Sequence, residues 1–341
     1  MNKVSVVILN WNGVGFLKQF LPGVVKNSNF PGCEIVVADN GSEDNSVDYI
    51  RANFSEIKIV QFEKNYGFAA GYNKALEQLH SEYYILLNSD VEVTENWILP
   101  IIKYMDLNPE VGSCMPKMLS FYNPNYFEYA GAAGGFIDKY GFAFCRGRVF
   151  NTIEKDFGQY NDLCEIFWAS GACMIVKAEA YWKVGGLDQE FFAHMEEIDL
   201  CWRLQWHGYK IIYFPEVKVF HVGGGSLNKE NPQKTYLNFR NNLYLLYKNL
   251  PSPELYKVLF YRIFLDFLAA IYYIVNIRLK HFSAIIKAHI NFFMKLSYFR
   301  RYRLNSKFLK EKRFFSSGIL NGSLVTEYFI KRKRTYNKII S

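Results

Sequence analysis

Hydrophobic segments alternate with amphipathic ones along the first 90 residues, and this alternation predicts the fold class. Short apolar runs bounded by turn residues indicate strands, whereas apolar residues at helical spacing indicate helices. The predicted strands are 4–9, 34–39, 58–62 and 83–90, and the predicted helices are 14–26, 46–53 and 69–79. Strands that alternate with helices predict an α/β fold, with a mostly parallel sheet and helices on both faces.

Polar residues follow each of these strands. The clusters are Asn10 to Asn12, Asp39 to Ser42, Asn65 to Gly67, and Asn88 to Asp90. In open α/β sheets the functional loops lie at the carboxyl ends of the strands. We therefore expect the four clusters to converge on one crevice.

The middle of the chain is less regular. Residues 110–165 are rich in Gly and Tyr, which favours short strands and loops that extend the sheet and cover the crevice. A second ordered unit begins at FWASGACMIVKAEAY and continues into the acidic segment EEIDLCWRLQWHG, a predicted helix with Gly208 as its C-terminal cap. The strand KIIYFP and the segment VKVFHVGGGS follow.

Charge divides the chain into two predicted parts. Residues 1–247 carry 21 Lys and Arg against 28 Asp and Glu, whereas residues 248–341 carry 19 against 4, so the net charges are −7 and +15. We predict a catalytic domain over 1–247 and a helical, basic and aromatic extension over 248–341. An anionic partner is expected for such an extension.

The extension is predicted to rest on a membrane. Its apolar run over 260–277 is interrupted by Arg262 and Asp266, which favours a helix lying in the interface over one that crosses the bilayer. Basic residues alternate with Phe and Tyr after this run, as is typical of a monotopic anchor on an anionic membrane surface. The alternative is a helical subdomain packed on the catalytic domain.

The cysteines and the N-terminus predict the compartment. Six cysteines include no CxxC pair, and the first residues enter a strand without a signal-peptide pattern. We therefore expect a cytoplasmic protein, peripheral on the inner face of the membrane, without zinc or structural disulfides.

Three residues at predicted strand ends could bind a nucleotide or a cation. Asp39 could accept a hydrogen bond from a pyrimidine imide, or it could only cap the following turn. Asp90 supplies a hard oxygen ligand where Mg²⁺ or Mn²⁺ could bridge phosphates, and His221 could complete the ligand set. Residues 223–225 are glycines that could approach a diphosphate or form a flexible turn.

The acidic segment is the candidate for general-base chemistry. Glu196, Glu197 and Asp199 crowd one helical turn, so mutual repulsion and burial should raise at least one pKa towards the range of a general base. An acidic first turn favoured by the helix dipole is the alternative.

Seven segments in this order resemble the family 2 inverting glycosyltransferases of the GT-A fold, and within them the rhamnosyltransferase-like group. The resemblance covers about residues 3–247. The segments are VSVVILNWNG, VVADNGSEDNS, EKNYGFAAGYN, YYILLNSDVEV, FWASGACMIVKAEAY, GGLDQEFFAHMEEIDLCWRL and FHVGGGS.

The resemblance implies a role for individual residues. Glu197 would be the catalytic base, with Glu196 as a rival because this chain writes Glu-Glu-Ile-Asp where the family most often writes Glu-Asp-x-Asp. Asp90 and His221 would bind Mg²⁺ or Mn²⁺, although Asn88 and Ser89 stand where other members carry acids. The substrate-binding residues would be Asn10, Asn12, Asp39, Asn65, Gly67, Asn73, Ser89, Trp168, Ser170, Gly171, Asp199 and Arg240.

The implied activity is sugar transfer in cell-surface polysaccharide biosynthesis. The donor would be dTDP-rhamnose or a UDP-hexose, and the acceptor a saccharide that is lipid-linked. A nucleotidyltransferase is the first alternative, but VILNWNGVGFL lacks the lysine of its phosphate loop. A non-catalytic membrane scaffold that binds nucleotide-sugar is the second. No recognisable module supports nucleic-acid binding.

Overall fold

The computed structural model describes residues 2–223, 231–306, 309 and 317–341, so two of the three glycines at 223–225 lie outside the described residues. The strands are β1 (Asn2–Asn10), β2 (Cys33–Asp39), β3 (Lys58–Gln61), β4 (Ser81–Asn88), β5 (Val91–Val93), β6 (Val111–Ser120), β7 (Gly135–Asp138), β8 (Ala143–Cys145), β9 (Arg148–Val149), β10 (Thr152–Ile153), β11 (Cys164–Glu165), β12 (Cys173–Lys177), β13 (Lys210–His221) and β14 (Ile319–Leu320). The helices are α1 (Val14–Asn27), α2 (Ser46–Asn53), α3 (Gly67–Leu76), α4 (Leu99–Leu107), α5 (Ala178–Lys183), α6 (Glu196–Trp206), α7 (Pro232–Asn249), α8 (Ser252–Val275), α9 (Leu279–Asn305) and α10 (Tyr336–Ile340).

A mixed sheet runs through the catalytic part in the order β11-β13-β6-β12-β4-β1-β2-β3, with β5 also paired to β13. The strands β4, β1, β2 and β3 are parallel to one another, and β13 is parallel to β6. Strand β12 runs antiparallel between β4 and β6. This arrangement confirms the predicted α/β fold with a mixed, mostly parallel sheet.

The central strands are buried because their sequences are apolar on both faces. In β1 the residues Val4, Val6 and Val7 are inaccessible to solvent, and Ile85 to Leu87 are equally buried in β4. Continuous apolar runs are typical of parallel strands covered by helices on both sides. The polar residues at the strand ends are therefore carried on a rigid core.

A second, smaller sheet contains β10, β9, β8, β7 and β14 in this order. Strand β14 comes from the C-terminal part of the chain and pairs in parallel with β7. The Asp138 carboxylate, at the end of β7, accepts hydrogen bonds from the backbone N–H groups of Tyr140, Phe142 and Leu324. Residues 317–341 thus return to the catalytic part and add a strand to it, whereas the preceding extension is helical as predicted.

A buried ionic network joins α6 to α7. Asp199 is fully buried, and its carboxylate accepts hydrogen bonds from Arg203 Nε at 2.8 Å, Lys248 Nζ at 2.9 Å and Asn249 Nδ2 at 2.8 Å. Burial alone would raise the Asp199 pKa, but the positive charges of Arg203 and Lys248 outweigh this effect and lower it. The protein itself thus occupies the oxygens of Asp199, and substrate binding by this residue stays a prediction.

We expect Asp199→Ala to destabilise the fold strongly. The substitution leaves Arg203 buried without its carboxylate partner and leaves Lys248 paired with Asp188 alone. Breaking a buried ion pair costs about 3–5 kcal/mol. Urea unfolding followed by circular dichroism measures the loss. Glu179→Ala, which removes an exposed carboxylate from α5, is the control and should unfold like the wild type. Equal stability of both variants would contradict a structural role for Asp199.

Candidate active site

The carboxyl ends of β1 and β2 meet through hydrogen bonds among the predicted polar residues. Asn10 Nδ2 donates to Asp39 Oδ1 at 3.1 Å and to Ser42 Oγ at 3.2 Å. Asp39 Oδ2 accepts from the Ser42 backbone N–H at 3.1 Å, so this side chain does cap the turn. Asn12 accepts from the Glu43 backbone N–H at 2.8 Å. Nucleobase binding by Asp39 remains a prediction.

The third cluster joins the same edge through Asn40. Asn65 Oδ1 accepts from Asn40 Nδ2 at 3.0 Å and from the Gly67 backbone N–H at 2.7 Å. Gly67 has φ of 78°, and a Cβ at this position would lie 2.5 Å from a ring carbon of Phe192. Only glycine fits here, because φ is positive and the aromatic ring covers the backbone. The first three clusters therefore converge as the sequence predicts.

Asn73 has a different environment from the predicted one. Its Nδ2 donates to the Leu187 carbonyl at 2.7 Å, and its Oδ1 accepts from Tyr181 Oη at 2.6 Å and from the Leu187 backbone N–H at 3.1 Å. Both ends of the amide thus hold the loop after α5. The structure gives Asn73 a structural role, and its nucleotide contact stays a prediction.

Strand β4 ends at Asn88, and the following residues reach the end of β13. His221 Nε2 lies 3.1 Å from Asp90 Oδ1, and His221 Nδ1 lies 3.4 Å from Glu128 Oε1. All three side chains are buried. Burial opposes a positive charge on His221, but the two carboxylates outweigh it and raise its pKa to about 10. The sequence did not indicate Glu128, which lies in an irregular segment outside the recognised motifs.

Asp90 and His221 are the candidate ligands for a divalent cation. Across the described parts of the chain, no group of three or more His, Cys, Asp or Glu side chains is arranged to hold a metal ion. Mg²⁺ and Mn²⁺ commonly take one or two carboxylates together with substrate phosphates and water. One carboxylate and one imidazole are such a partial ligand set, and binding of a cation would release the imidazole proton.

Helix α6 begins with the two adjacent glutamates. Glu196 is buried, and its pKa is raised well above 4.5 by burial and by the charge of Glu197. Burial raises the Glu197 pKa to about 7, although backbone N–H groups at the helix start oppose the shift. The Oε2 atoms of both residues are buried, with no hydrogen-bond partner among the residues that the structure describes. At least one pKa therefore lies in the range of a general base.

The loop before β12 lies between these glutamates and the end of β4. A Cβ on Gly171 would lie 3.7 Å from Glu197 Cβ and 3.1 Å from the Phe68 ring. The Asn88 backbone N–H donates to the Ala172 carbonyl at 2.9 Å. The base candidates and the end of β4 are thus on the same edge of the sheet.

Two further residues of this loop are buried. Trp168 packs against Gly135 and donates from Nε1 to the Phe136 carbonyl at 3.0 Å, so its ring does not offer an exposed face to a sugar. Ser170 is also buried, and its Oγ accepts from the Ala172 backbone N–H at 3.3 Å. Direct sugar contact by Trp168 is therefore not supported. Ser89, next to Asp90, lies near Gly13 in the crevice.

Arg240 also contacts protein atoms instead of an open pocket. Its guanidinium donates to the carbonyls of Glu190 and Phe191 at 3.2 and 2.8 Å, and to Asn241 Oδ1 at 2.9 Å. These carbonyls belong to the segment before α6, and a diphosphate contact by Arg240 stays a prediction. Asn241, which no sequence motif indicated, binds the same segment.

Comparison with known proteins supports the fold and the family. The chain is 22% identical over 257 residues to the uncharacterized protein y4gI of Sinorhizobium fredii, covering 70% of this chain but only 26% of that relative. It is 23% identical over 245 residues to the N-acetylglucosaminyl-diphospho-decaprenol L-rhamnosyltransferase of Mycobacterium tuberculosis, covering 67% and 78% of the two chains. The structure of GalNAc-T7 with UDP, GalNAc and Mn²⁺ has a TM-score of 0.55 at 17% identity, over 71% of this chain and 51% of that one.

The family itself is shown by a sequence model. The model described as glycosyl transferase family 2 matches residues 5–185, which is more than half of the 341 residues. The match includes the strands β1 to β4, the segment with Asp90, and the loop at Gly171. It confirms the resemblance that the motifs indicated. The chain belongs to glycosyl transferase family 2.

Proposed function

We propose that the protein transfers a sugar from a nucleoside-diphosphate sugar to a saccharide acceptor, with inversion at the anomeric carbon. The observation that carries this proposal is the pair of adjacent glutamates beside Gly171, Glu196 buried and Glu197 half-buried with a buried Oε2, on the sheet edge where the strand-end residues converge. Family membership makes a nucleotidyltransferase the weaker candidate. The relative from Mycobacterium tuberculosis is named as an L-rhamnosyltransferase, which favours dTDP-rhamnose, and the UDP of the structural neighbour keeps a UDP-hexose as the other donor.

The proposed reaction is a single in-line displacement. Glu197 accepts the proton of the acceptor hydroxyl while the acceptor oxygen forms a bond to the anomeric carbon. The bond between that carbon and the diphosphate oxygen breaks, and the nucleoside diphosphate leaves with the electron pair. A base with a pKa near 7 suits this proton transfer at neutral pH.

The remaining site residues are assigned to the donor. Asp90 and His221 would hold Mg²⁺ or Mn²⁺, which would stabilise negative charge on the leaving diphosphate. Asp39 is proposed to bind the base, with Asn10, Asn12, Asn65, Gly67 and Ser89 along the same edge. Gly171 would leave room for the sugar beside Glu197, because any side chain there would approach Phe68.

We expect Glu197→Gln to reduce turnover about 100-fold or more while donor binding is retained, since general bases typically contribute this factor. In the wild type the rate should rise with pH through about 7, because the base acts only when it has lost its proton. Initial rates with a purified acceptor, measured between pH 5 and 9, check both expectations.

Glu196→Gln is the matched variant, because it removes the rival carboxylate one residue earlier. Loss of turnover in Glu196→Gln with full activity in Glu197→Gln would move the base to Glu196. If neither substitution changes the rate, neither glutamate is the base and the proposed chemistry is wrong. Donor binding without any turnover by the wild type would make the non-catalytic scaffold the better interpretation.

We expect UDP or dTDP to raise the melting temperature in a manner that depends on Mn²⁺, and expect Asp90→Ala to lose this dependence. A ligand that binds only the folded state stabilises it by mass action, by about 2.7 kcal/mol at 100-fold excess over Kd. Thermal shifts against a panel of nucleoside diphosphates, with and without Mn²⁺, measure the effect. Glu92→Ala removes an exposed carboxylate two residues away and is the control. A Mn²⁺-dependent shift that survives in Asp90→Ala would exclude the proposed cation site.

The acceptor is proposed to be lipid-linked, because the relative from Mycobacterium tuberculosis is named for a diphospho-decaprenol substrate and because of the surface of α8. Arg262 and Asp266 are buried on one side of this helix, where Arg262 Nε donates to Asp266 Oδ1 at 2.7 Å and His289 Nε2 lies 3.1 Å from Asp266 Oδ2. Arg262 also lies over the Phe142 ring at 4.3 Å. The two charged residues within the apolar run of α8 thus face the protein.

The opposite side of α8 is apolar and exposed. Phe260 is 77% exposed and Val275 is 74% exposed. The other exposed apolar residues of α8 and α9 include Phe264, Phe267, Leu268, Ile271, Tyr272, Ile274, Ile286, Ile290, Phe293 and Met294. We call this set, with Phe260 and Val275, the apolar face. A surface helix in water has the reverse arrangement, with its apolar side towards the core.

An anionic bilayer is the proposed occupant of the apolar face. Exposed basic residues lie in α9 and directly before it, namely Arg278, Lys280, Lys287, Arg300 and Arg301. Residues 248–341 carry a net charge of +15. By length and composition α8 could also cross a membrane, and it is the one such helix among the residues described. Its buried ion pair favours a position along the surface, at the inner face of the cell membrane.

We expect the protein to float with vesicles of phosphatidylcholine and phosphatidylglycerol, and to bind less at high salt. The triple variant Phe260→Ser, Phe264→Ser and Phe267→Ser should bind at least about tenfold more weakly, because each exposed ring loses its burial in lipid. Phe157→Ser removes a ring that is 79% exposed outside the apolar face and is the control. Two results would contradict the proposal. One is wild-type vesicle binding by the triple variant, and the other is a stable dimer in solution that forms through these rings and does not bind vesicles.

A further inference from the structure

The backbone immediately before α6 has an unusual conformation. Phe192, His194 and Met195 all have positive φ, at 64°, 71° and 72°. Residues with side chains rarely adopt these angles, and they persist only where the surrounding structure holds them. Because Glu196 follows Met195 directly, the angles of these residues set where α6 starts and where its first two carboxylates lie. We refer to residues 192–195 as the left-handed segment.

One side chain holds most of the carbonyls of this region. Asn241, on α7, is fully buried, and its Nδ2 lies 2.9 Å from the Phe191 oxygen, 2.8 Å from the Ala193 oxygen and 2.7 Å from the His194 oxygen. Its Oδ1 accepts from Arg240 Nε at 2.9 Å, which fixes the orientation of the amide. Two amide hydrogens therefore serve three convergent carbonyls.

Contacts from α3 complete the support on the other side. The Phe192 carbonyl accepts from the backbone N–H groups of Phe68 and Ala69 at 2.7 and 3.3 Å. The Phe192 ring covers Gly67, where a side chain would not fit. The left-handed segment is thus fixed between α3 and α7, and Asn241 supplies the N–H groups from the α7 side.

We infer that Asn241 is a positioning residue for the general base: it holds the left-handed segment so that the Glu197 carboxylate reaches the acceptor hydroxyl. This inference rests on the proposed function, since it assumes that Glu197 is the base. Asn241 acts through the backbone and touches neither substrate nor cation. Its effect should therefore fall on the rate of the chemical step and leave donor binding unchanged.

The first test is Asn241→Asp, which keeps the shape of the side chain but replaces the donor amide with a carboxylate that faces carbonyl oxygens. We expect kcat to fall about 100-fold, as for a misplacement of a catalytic group by roughly 1 Å, with the donor KM nearly unchanged. Amide hydrogen exchange at residues 191–196 should become faster. Tyr244→Phe, which removes a buried hydrogen bond from α7 to Asn291 in α9, is the control and should retain kcat.

A milder substitution keeps the inference testable where the aspartate variant does not fold. Asn241→Ser retains one donor and should fold, with a smaller loss of kcat and the same unchanged donor KM. Wild-type kcat in a folded Asn241 variant whose segment exchanges faster would overturn the inference. A parallel rise in donor KM would also overturn it, because the residue would then act on donor binding.

Failure of the proposed function gives a different result. If Glu197→Gln retains turnover, the assignment of the base is wrong, whatever Asn241 does. If Glu197→Gln loses turnover while both Asn241 variants retain it, only the positioning role is wrong.

Discussion

Two neighbouring carboxylates at the start of one helix, each with a buried Oε2 atom, are the constraint on which the rest of the site depends. Burial raises the pKa of both Glu196 and Glu197, and the charge of Glu197 raises the Glu196 pKa further. An unsupported helix start would turn these side chains towards water. The left-handed segment before α6 and the ionic network of Asp199 in its first turn prevent this movement. Both supports depend on α7.

The sheet is the part that the sequence predicted well. The runs at 4–9 and 34–39 became β1 and β2 with ends shifted by two residues or fewer, because buried parallel strands are apolar without interruption. The acidic helix also ended as predicted, with Gly208 at φ of 83° after Trp206. Convergence of the strand-end clusters followed from topology alone, since parallel strands end at the same edge.

Individual contacts in the site were predicted less well. Asn73, Trp168, Asp199 and Arg240 lie in motifs of the family, but their polar atoms bind other parts of the protein. A motif states which residue type is present, whereas the partner of a buried polar atom depends on segments far away in sequence. Glu128 shows the converse, because it contacts His221 from an irregular segment. The return of β14 to the small sheet had no local signal either.

The helices of the extension connect the apolar face to α7 and to the segment before α6. Lys295 Nζ, on α9, lies 2.9 Å from Glu190 Oε2, just before the left-handed segment. Arg303, also on α9, donates to the Tyr247 carbonyl of α7 at 2.6 Å. Under the proposed function, a membrane against the apolar face would therefore also restrain α9. Through α9 it would restrain α7 and the segment before Glu197. A lipid-linked acceptor arrives from that same membrane. Docking would then place both reactants of the proton transfer, the acceptor hydroxyl and the Glu197 carboxylate, by contacts with one rigid group of helices.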